Sequence, residues 1–163
     1  MTDVLIIGDS IRSPDMRHAV PVAIGDPFLY GERDGRASVV VVSFERERVE
    51  ALAMGLDVRT LEDAGVDELL RRGLSREEVW RELWLSACRL LGIERAVVPR
   101  TFPVGAADHL RANGIELTVD QELFDARRRR KNPAELAGIR RAQRAAEAGM
   151  AGEDPKRGWI DPA

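Results

Sequence analysis

Apolar and polar positions fall into short blocks along this chain, and each block carries its own period. Residues 4–7 (VLII) form a brief run of β-branched and leucine side chains closed by Gly8, Asp9 and Ser10, which predicts a buried strand. Residues 12–22 contain Pro14 and Pro21, which predict looping or extended backbone there and exclude a long helix. Residues 28–31 and 38–44 flank the segment GERDGRA, whose Asp34-Gly35 pair suits a tight turn with positive φ, so an antiparallel pair is expected. Residues 39–42 are four consecutive valines without polar alternation. Such a strand is expected to be covered on both faces and central in its sheet.

The period then changes. Residues 45–54 place Val49, Leu52 and Ala53 on one side of a short helix that Gly55 would stop, and Val58 and Leu61 suit a short strand after it. The clearest helix spans residues 75–91, with Ser75 and Glu78 spaced as a capping box and Gly92 at its end. Its stripe of Val79, Trp80, Leu83, Trp84, Ala87 and Leu91 predicts core packing for both tryptophans. Residues 96–98 read as a buried strand, 104–112 as a helix closed by Asn113-Gly114, and 115–119 as another strand. That succession is a β-α-β unit, so a β-rich first half is followed by alternating elements on a mixed sheet.

The last block, residues 127–150 (RRRRKNPAELAGIRRAQRAAEAGM), reads as a capped helix. Asn132 is placed to cap it, Pro133 suits its first position and Glu135 completes the capping pattern. Leu136, Ile139, Gln143, Ala146 and Met150 share one side. This stripe is thin, so the helix is expected to need a surface beyond the domain. A helix leaving a finished α/β domain normally leads into something, and the expectation is that the chain is one part of a larger protein. The remaining residues, 152–163, are rich in Gly, Pro and charge and read as a linker or frayed end, with Trp159 conspicuous in it.

Composition bounds what such a chain can be. It has 163 residues, 44% hydrophobic and 33% charged, which describes one ordinary domain with a sizeable core. No apolar run approaches the roughly 20 residues needed to cross a bilayer. Asp3 stands where a secretory signal would carry Lys or Arg, and cytoplasmic residence is the expectation. The single cysteine, Cys88, excludes an internal disulfide and lies on a helical pattern, where it reads as a packing residue.

The net charge of −3 is unevenly spread. Between residues 127 and 144 there are eight basic residues against Glu135 alone, a local +7 that leaves −10 elsewhere. A basic run can bind phosphates through counterion release, but no aromatic residue interleaves with it to stack on bases. A solvated or interdomain face is therefore the better reading than nucleic acid.

Catalytic signatures are missing. Neither a G-x-G-x-x-G loop nor a Walker lysine follows the first strand. His18 and His109 sit in no metal-ligand spacing, and no G-x-S-x-G elbow occurs. Asp9, Asp15, Asp26 and Asp34 lie in turn contexts where aspartate commonly caps and hydrogen-bonds. The charged cluster of residues 12–18 follows the first strand, where open α/β sheets present functional loops. Arg17 and His18 are its candidate substrate-facing residues.

One resemblance draws these blocks together. The β-rich start with SPDMRH and DPFLYGERDG, the strand VVVVSFE, the later β-α-β unit and the closing helix resemble the amino-terminal domain of the creatinase, prolidase and aminopeptidase P family. In that family a basic residue, Lys, Glu-Leu and Ile-Arg-x-Ala introduce the helix leading to the catalytic domain. Arg130, Lys131, Glu135, Leu136, Ile139, Arg140 and Ala142 match that arrangement.

The resemblance implies a three-layer, ribonuclease-H-like α/β domain with a mixed sheet flanked by helices. It also implies a division into an α/β domain at 1–126, an interdomain helix at 127–150 and a tail at 151–163. In relatives a pita-bread catalytic domain follows, whose two divalent metal ions, commonly manganese, cobalt or zinc, activate a bridging water. None of those metal or catalytic positions maps onto this chain. The implied role is non-catalytic, serving homo-oligomer formation and restricting access to an active site that takes Xaa-Pro peptides or other small substrates. A stand-alone dimerisation module, and a nucleic-acid binder using the basic run, are the alternatives.

Overall fold

The computed structural model describes residues 2–131 and 133–151. The elements run β1 (Val4–Gly8), α1 (Pro14–Ala19), β2 (Phe28–Arg33), β3 (Arg36–Val41), α2 (Arg46–Glu50), β4 (Asp57–Thr60), α3 (Val66–Arg71), α4 (Arg76–Leu90), β5 (Arg95–Val98), α5 (Val104–Ala112), β6 (Glu116–Val119), α6 (Gln121–Arg129) and α7 (Pro133–Met150). The chain divides into two compact units, Met1–Asp125 and Ala126–Ala163.

In the first unit six strands form one sheet in the order β4-β3-β2-β1-β5-β6. β2 is antiparallel to both of its neighbours, while β1 and β5, β5 and β6, and β3 and β4 pair in parallel. Five strands therefore point the same way, and their carboxyl ends share one edge of the sheet.

Alternation along each strand sorts side chains to two cores. Leu5, Ile7, Leu29, Val40, Ala96 and Val98 face one side, where Leu69 of α3, Leu83 and Trp84 of α4 and Leu110 of α5 cover them. Val4, Ile6, Phe28, Tyr30, Val39 and Val41 face the other, against Met16 of α1, Val49 of α2 and Phe124 of α6. The result is three layers, helices on either side of a mixed sheet. The valine strand is internal as expected, with Val39, Val40 and Val41 fully buried on alternating faces.

The hairpin closes where the sequence places it. Arg33 pairs with Arg36, leaving Asp34 (φ 50°) and Gly35 (φ 78°) as a two-residue turn with both φ values positive. The capping box also forms: the Glu78 N–H donates to Ser75 Oγ at 3.3 Å, and the Ser75 N–H donates back to Glu78 Oε2 at 2.8 Å. Trp80 and Trp84 stack on each other with ring centroids 5.0 Å apart, and Trp84 is buried.

Four local expectations need correction. The proline-bearing segment after β1 holds a short helix, because Pro14 sits at the first helical position, where its missing N–H costs nothing, and Ser13 caps the turn. Strand β3 ends at Val41 rather than extending to Phe44, since the Glu45 N–H bonds to the Val42 carbonyl at 3.0 Å and closes a 3₁₀ turn over Ser43–Glu45. Helix α2 stops at Glu50, and Ala53 (φ 51°) as well as Gly55 (φ 69°) takes the left-handed conformation beyond it. Finally, Arg127, Arg128 and Arg129 form the last turn of α6, and a separate helix begins at Pro133. The expected cap Asn132 lies outside the described residues, as do Trp159 and residues 152–163.

Candidate functional site

The loops at the carboxyl edge are tied to one another by polar groups that the sheet leaves free. At the end of β1, the Asp9 carboxylate accepts from the N–H groups of Ile11 (2.9 Å) and Arg12 (2.7 Å) and pairs with the Arg12 guanidinium at 3.3 Å. Burial pushes the Asp9 carboxyl up, but these hydrogen bonds and the Arg12 charge outweigh it and hold it below its ordinary value.

Ser10, fully buried, stitches this loop to the one before β2. Its N–H donates to the Ile24 carbonyl at 3.1 Å, its Oγ accepts from the Ile24 N–H at 2.9 Å, and its hydroxyl bonds to the Val22 carbonyl. A second tie joins the corner after β3. Buried Glu45 accepts from Arg48 at 2.8 and 2.6 Å, and Arg48 also donates to the Ala23 carbonyl at 3.0 Å. The edge is thus a set of braced loops.

Arg17 and His18 occupy the last turn of α1, Arg17 exposed and His18 half-buried, while Asp15, Met16 and Ala19 turn inward. Basic residues at that position also suit the negative end of a helix. Two clefts among the described residues lie elsewhere. One of about 540 Å³ lies between Gly92, Arg95, Asn113 and Glu116, and another of about 540 Å³ between Arg33, Arg36, Asp57 and Arg59. Both are at the amino edge of the sheet, remote in the chain from Arg17 and His18.

The carboxyl edge has an apolar character that the sequence pattern does not announce. Ile11, Phe44 and Val104 follow β1, β3 and β5 and are 64%, 71% and 74% exposed. The signal for this is positional, since Ile11 and Phe44 stand within three residues of the ends of β1 and β3, and Val104 opens the helix that follows β5.

The other chemical candidates are accounted for locally. His109 Nε2 lies 3.3 Å from Glu82 Oε1, joining α5 to α4. Cys88 is fully buried and its thiol is pushed up to about 12 by that burial, which fits packing rather than nucleophilic chemistry. Arg127 and Arg128 are half-buried and already engaged in interactions, whereas Arg129, Arg130 and Lys131 are exposed. Among the described residues no group of three His, Cys, Asp or Glu side chains could hold a metal ion, so the metal pair implied by the resemblance finds no donor set here. No described helix is long and apolar enough to cross a membrane.

No protein-family model and no curated protein matches the sequence. Solved structures do match in three dimensions. A prolidase from Pyrococcus furiosus aligns over 93% of this chain with a TM-score of 0.59 and 14% identity. The prolidase from Pyrococcus horikoshii OT3 aligns over 93% with a TM-score of 0.58 and 16% identity, and an Xaa-Pro dipeptidase from Bacillus anthracis over 83% with 0.55 and 14%. The chain has the fold of the amino-terminal domain of prolidases.

At these identities the likeness is one of fold. The chain spans only 33% of the dipeptidase and 38% of each prolidase. The three-layer, mixed-sheet architecture is therefore what this chain shares with the amino-terminal domain of prolidases.

Proposed function

We propose that this chain serves as the non-catalytic amino-terminal domain of a cytoplasmic Xaa-Pro aminopeptidase- or prolidase-like metallopeptidase. Its role on this reading is to promote homo-oligomer formation and to restrict access to an active site built elsewhere. The observation that carries the proposal is the coverage: nearly the whole chain superposes on little more than a third of a prolidase. The exposed apolar residues Ile11 and Phe44 in the braced segments, and Val104 at the start of α5, support an edge that meets protein rather than water. Hydrolysis, and the divalent metal that supports it, then belongs to a different domain, and Arg17 and His18 are the proposed substrate-facing pair.

Two measurements test this. The purified chain is assayed against Xaa-Pro dipeptides with added manganese, and no hydrolysis is expected. Manganese-dependent cleavage by the chain alone would overturn the non-catalytic assignment. Sedimentation of the wild type against Phe44→Asp and Val104→Asp tests the association role. Self-association that weakens in the variants is expected, and identical profiles would remove the carboxyl edge from the proposal.

A stand-alone dimerisation module is the second reading, favoured by the exposure of Leu136, Ile139 and Met150 on α7. Protection of their amides from exchange in a stable dimer of the isolated chain would support it over the first.

A further inference from the structure

A sheet with two free edges must keep them from pairing with other chains, and here the two edges are treated differently. Just past β4 the Leu61 N–H donates to the Val41 carbonyl at 2.9 Å, and Asp57 and Arg59 share its alternation, so these residues turn their backbone groups toward β3. Val58 and Thr60 therefore present theirs to the outer edge. Of these, the Val58 carbonyl and the Thr60 N–H are taken by side chains. Arg46 Nη2, from α2, donates to the Val58 carbonyl at 3.2 Å, and Asp63 Oδ2 accepts from the Thr60 N–H at 2.8 Å. The same two side-chain groups pair with each other at 3.1 Å.

This arrangement has a backbone equivalent. In a parallel ladder one residue of an added strand would give its N–H to the Val58 carbonyl and its C=O to the Thr60 N–H. The guanidinium supplies that donor and the carboxylate supplies that acceptor. We propose that Arg46 and Asp63 together act as an edge lock, a side-chain substitute for one rung of a parallel strand that holds β4 closed against strand addition by a second copy of this chain.

Three further observations fit. The Thr60 N–H, and after it the Thr60 hydroxyl and the Arg46 charge, hold the Asp63 carboxyl below its ordinary value despite some burial, so the acceptor stays ionised. The Asp63 N–H returns a bond to Thr60 Oγ1 at 3.3 Å, which fixes the carboxylate beside the edge. The opposite edge is only half closed. On β6 the Glu116 and Asp120 N–H groups point to β5, leaving Leu117 and Val119 outward. Arg111 Nη2 donates to the Leu117 carbonyl at 3.2 Å, but among the described residues no side chain accepts from the Val119 N–H.

The test compares the full chain with Arg46→Met/Asp63→Ala and with the milder Arg46→Gln, each checked for cooperative unfolding. Sedimentation over a concentration series is read together with amide exchange at Val58 and Thr60. In the double variant, self-association at least about tenfold stronger than wild type is expected. Thr60 should exchange faster than wild type at low concentration and slow again as concentration rises. Arg46→Gln, which keeps Asp63, should show a smaller change in the same direction and covers the case in which the double variant fails to fold. Faster Thr60 exchange without concentration dependence, and sedimentation equal to wild type, would overturn the lock. Because the exchange readout is confined to β4, association through Phe44 and Val104 does not mimic it.

Discussion

Ile93 lies directly over Gly31, so that a Cβ added to Gly31 would sit 2.6 Å from Ile93 Cδ1 and 3.3 Å from Leu91 Cδ1. Gly31 is in β2, in the middle of the sheet, and Ile93 lies in the connection from α4 to β5. The missing side chain is what lets the end of α4 settle onto the strand. Gly31→Val is expected to destabilise the fold by about 1–3 kcal/mol, the range for overfilling a packed core. Gly31→Ala should cost less, because a terminal methyl can shift and alanine gains strand propensity over glycine. Urea unfolding measures both, and a valine variant as stable as wild type would show that Ile93 repacks freely.

Gly92 tests a different constraint at the same corner. It follows α4 with φ +68°, and its N–H donates to the Arg89 carbonyl at 3.0 Å. A Cβ there would also run into Arg33 Nη1, but the Arg33 side chain is half exposed and can swing aside. Backbone strain rather than the clash should dominate, so Gly92→Ala is expected to cost about 1 kcal/mol. Adding Arg33→Ala should recover little of that loss in thermal unfolding. Full recovery would assign the cost to the guanidinium instead.

Where punctuation is written in side chains, the fold was legible. Residues 104–112 emerged as α5 because Asn113-Gly114 marks its end, and α4 because Ser75 and Glu78 write its start. Helix α3 escaped notice because its cap is Gly65, with φ +87° and no side chain to announce it. Pro14 suggests a break in the sequence but opens α1 in the fold. The Leu123 N–H donates to Asp120 Oδ1 at 3.0 Å in the first turn of α6, a cap obscured by the arginine run that follows. The candidate edge was the least legible part. Ile11, Phe44 and Val104 are far apart in sequence, and only the strand order brings their loops to one edge.

Asp9 should make stability depend on acid. Its folded-state carboxyl lies below the ordinary value, so its contribution is fully present above the unfolded value of about 4 and is lost as pH falls through the folded one. Asp9→Asn keeps a side-chain oxygen to accept from Ile11 and Arg12 but removes the charge. Wild type should therefore lose stability more steeply than the variant as pH falls below about 4, with urea midpoints converging at the acid end. Parallel pH profiles for the two proteins would mean that the carboxylate is not held by these bonds.

Cys88 offers a probe of the helical layer over the sheet. At pH 8 a thiol pushed up to about 12 is ionised to roughly one part in ten thousand, and the side chain has no exposed surface. A disulfide reagent should accordingly leave the native chain untouched and titrate one thiol in denaturant. Labelling in intermediate urea is expected to follow global unfolding, because Cys88 packs in the same core as Leu83, Trp84 and Leu110. Rapid labelling without denaturant would show that α4 opens locally from the sheet. Cys88→Ser, which buries a hydroxyl among apolar neighbours, should cost about 1–3 kcal/mol, whereas Cys88→Ala should cost less because it leaves no polar group to satisfy.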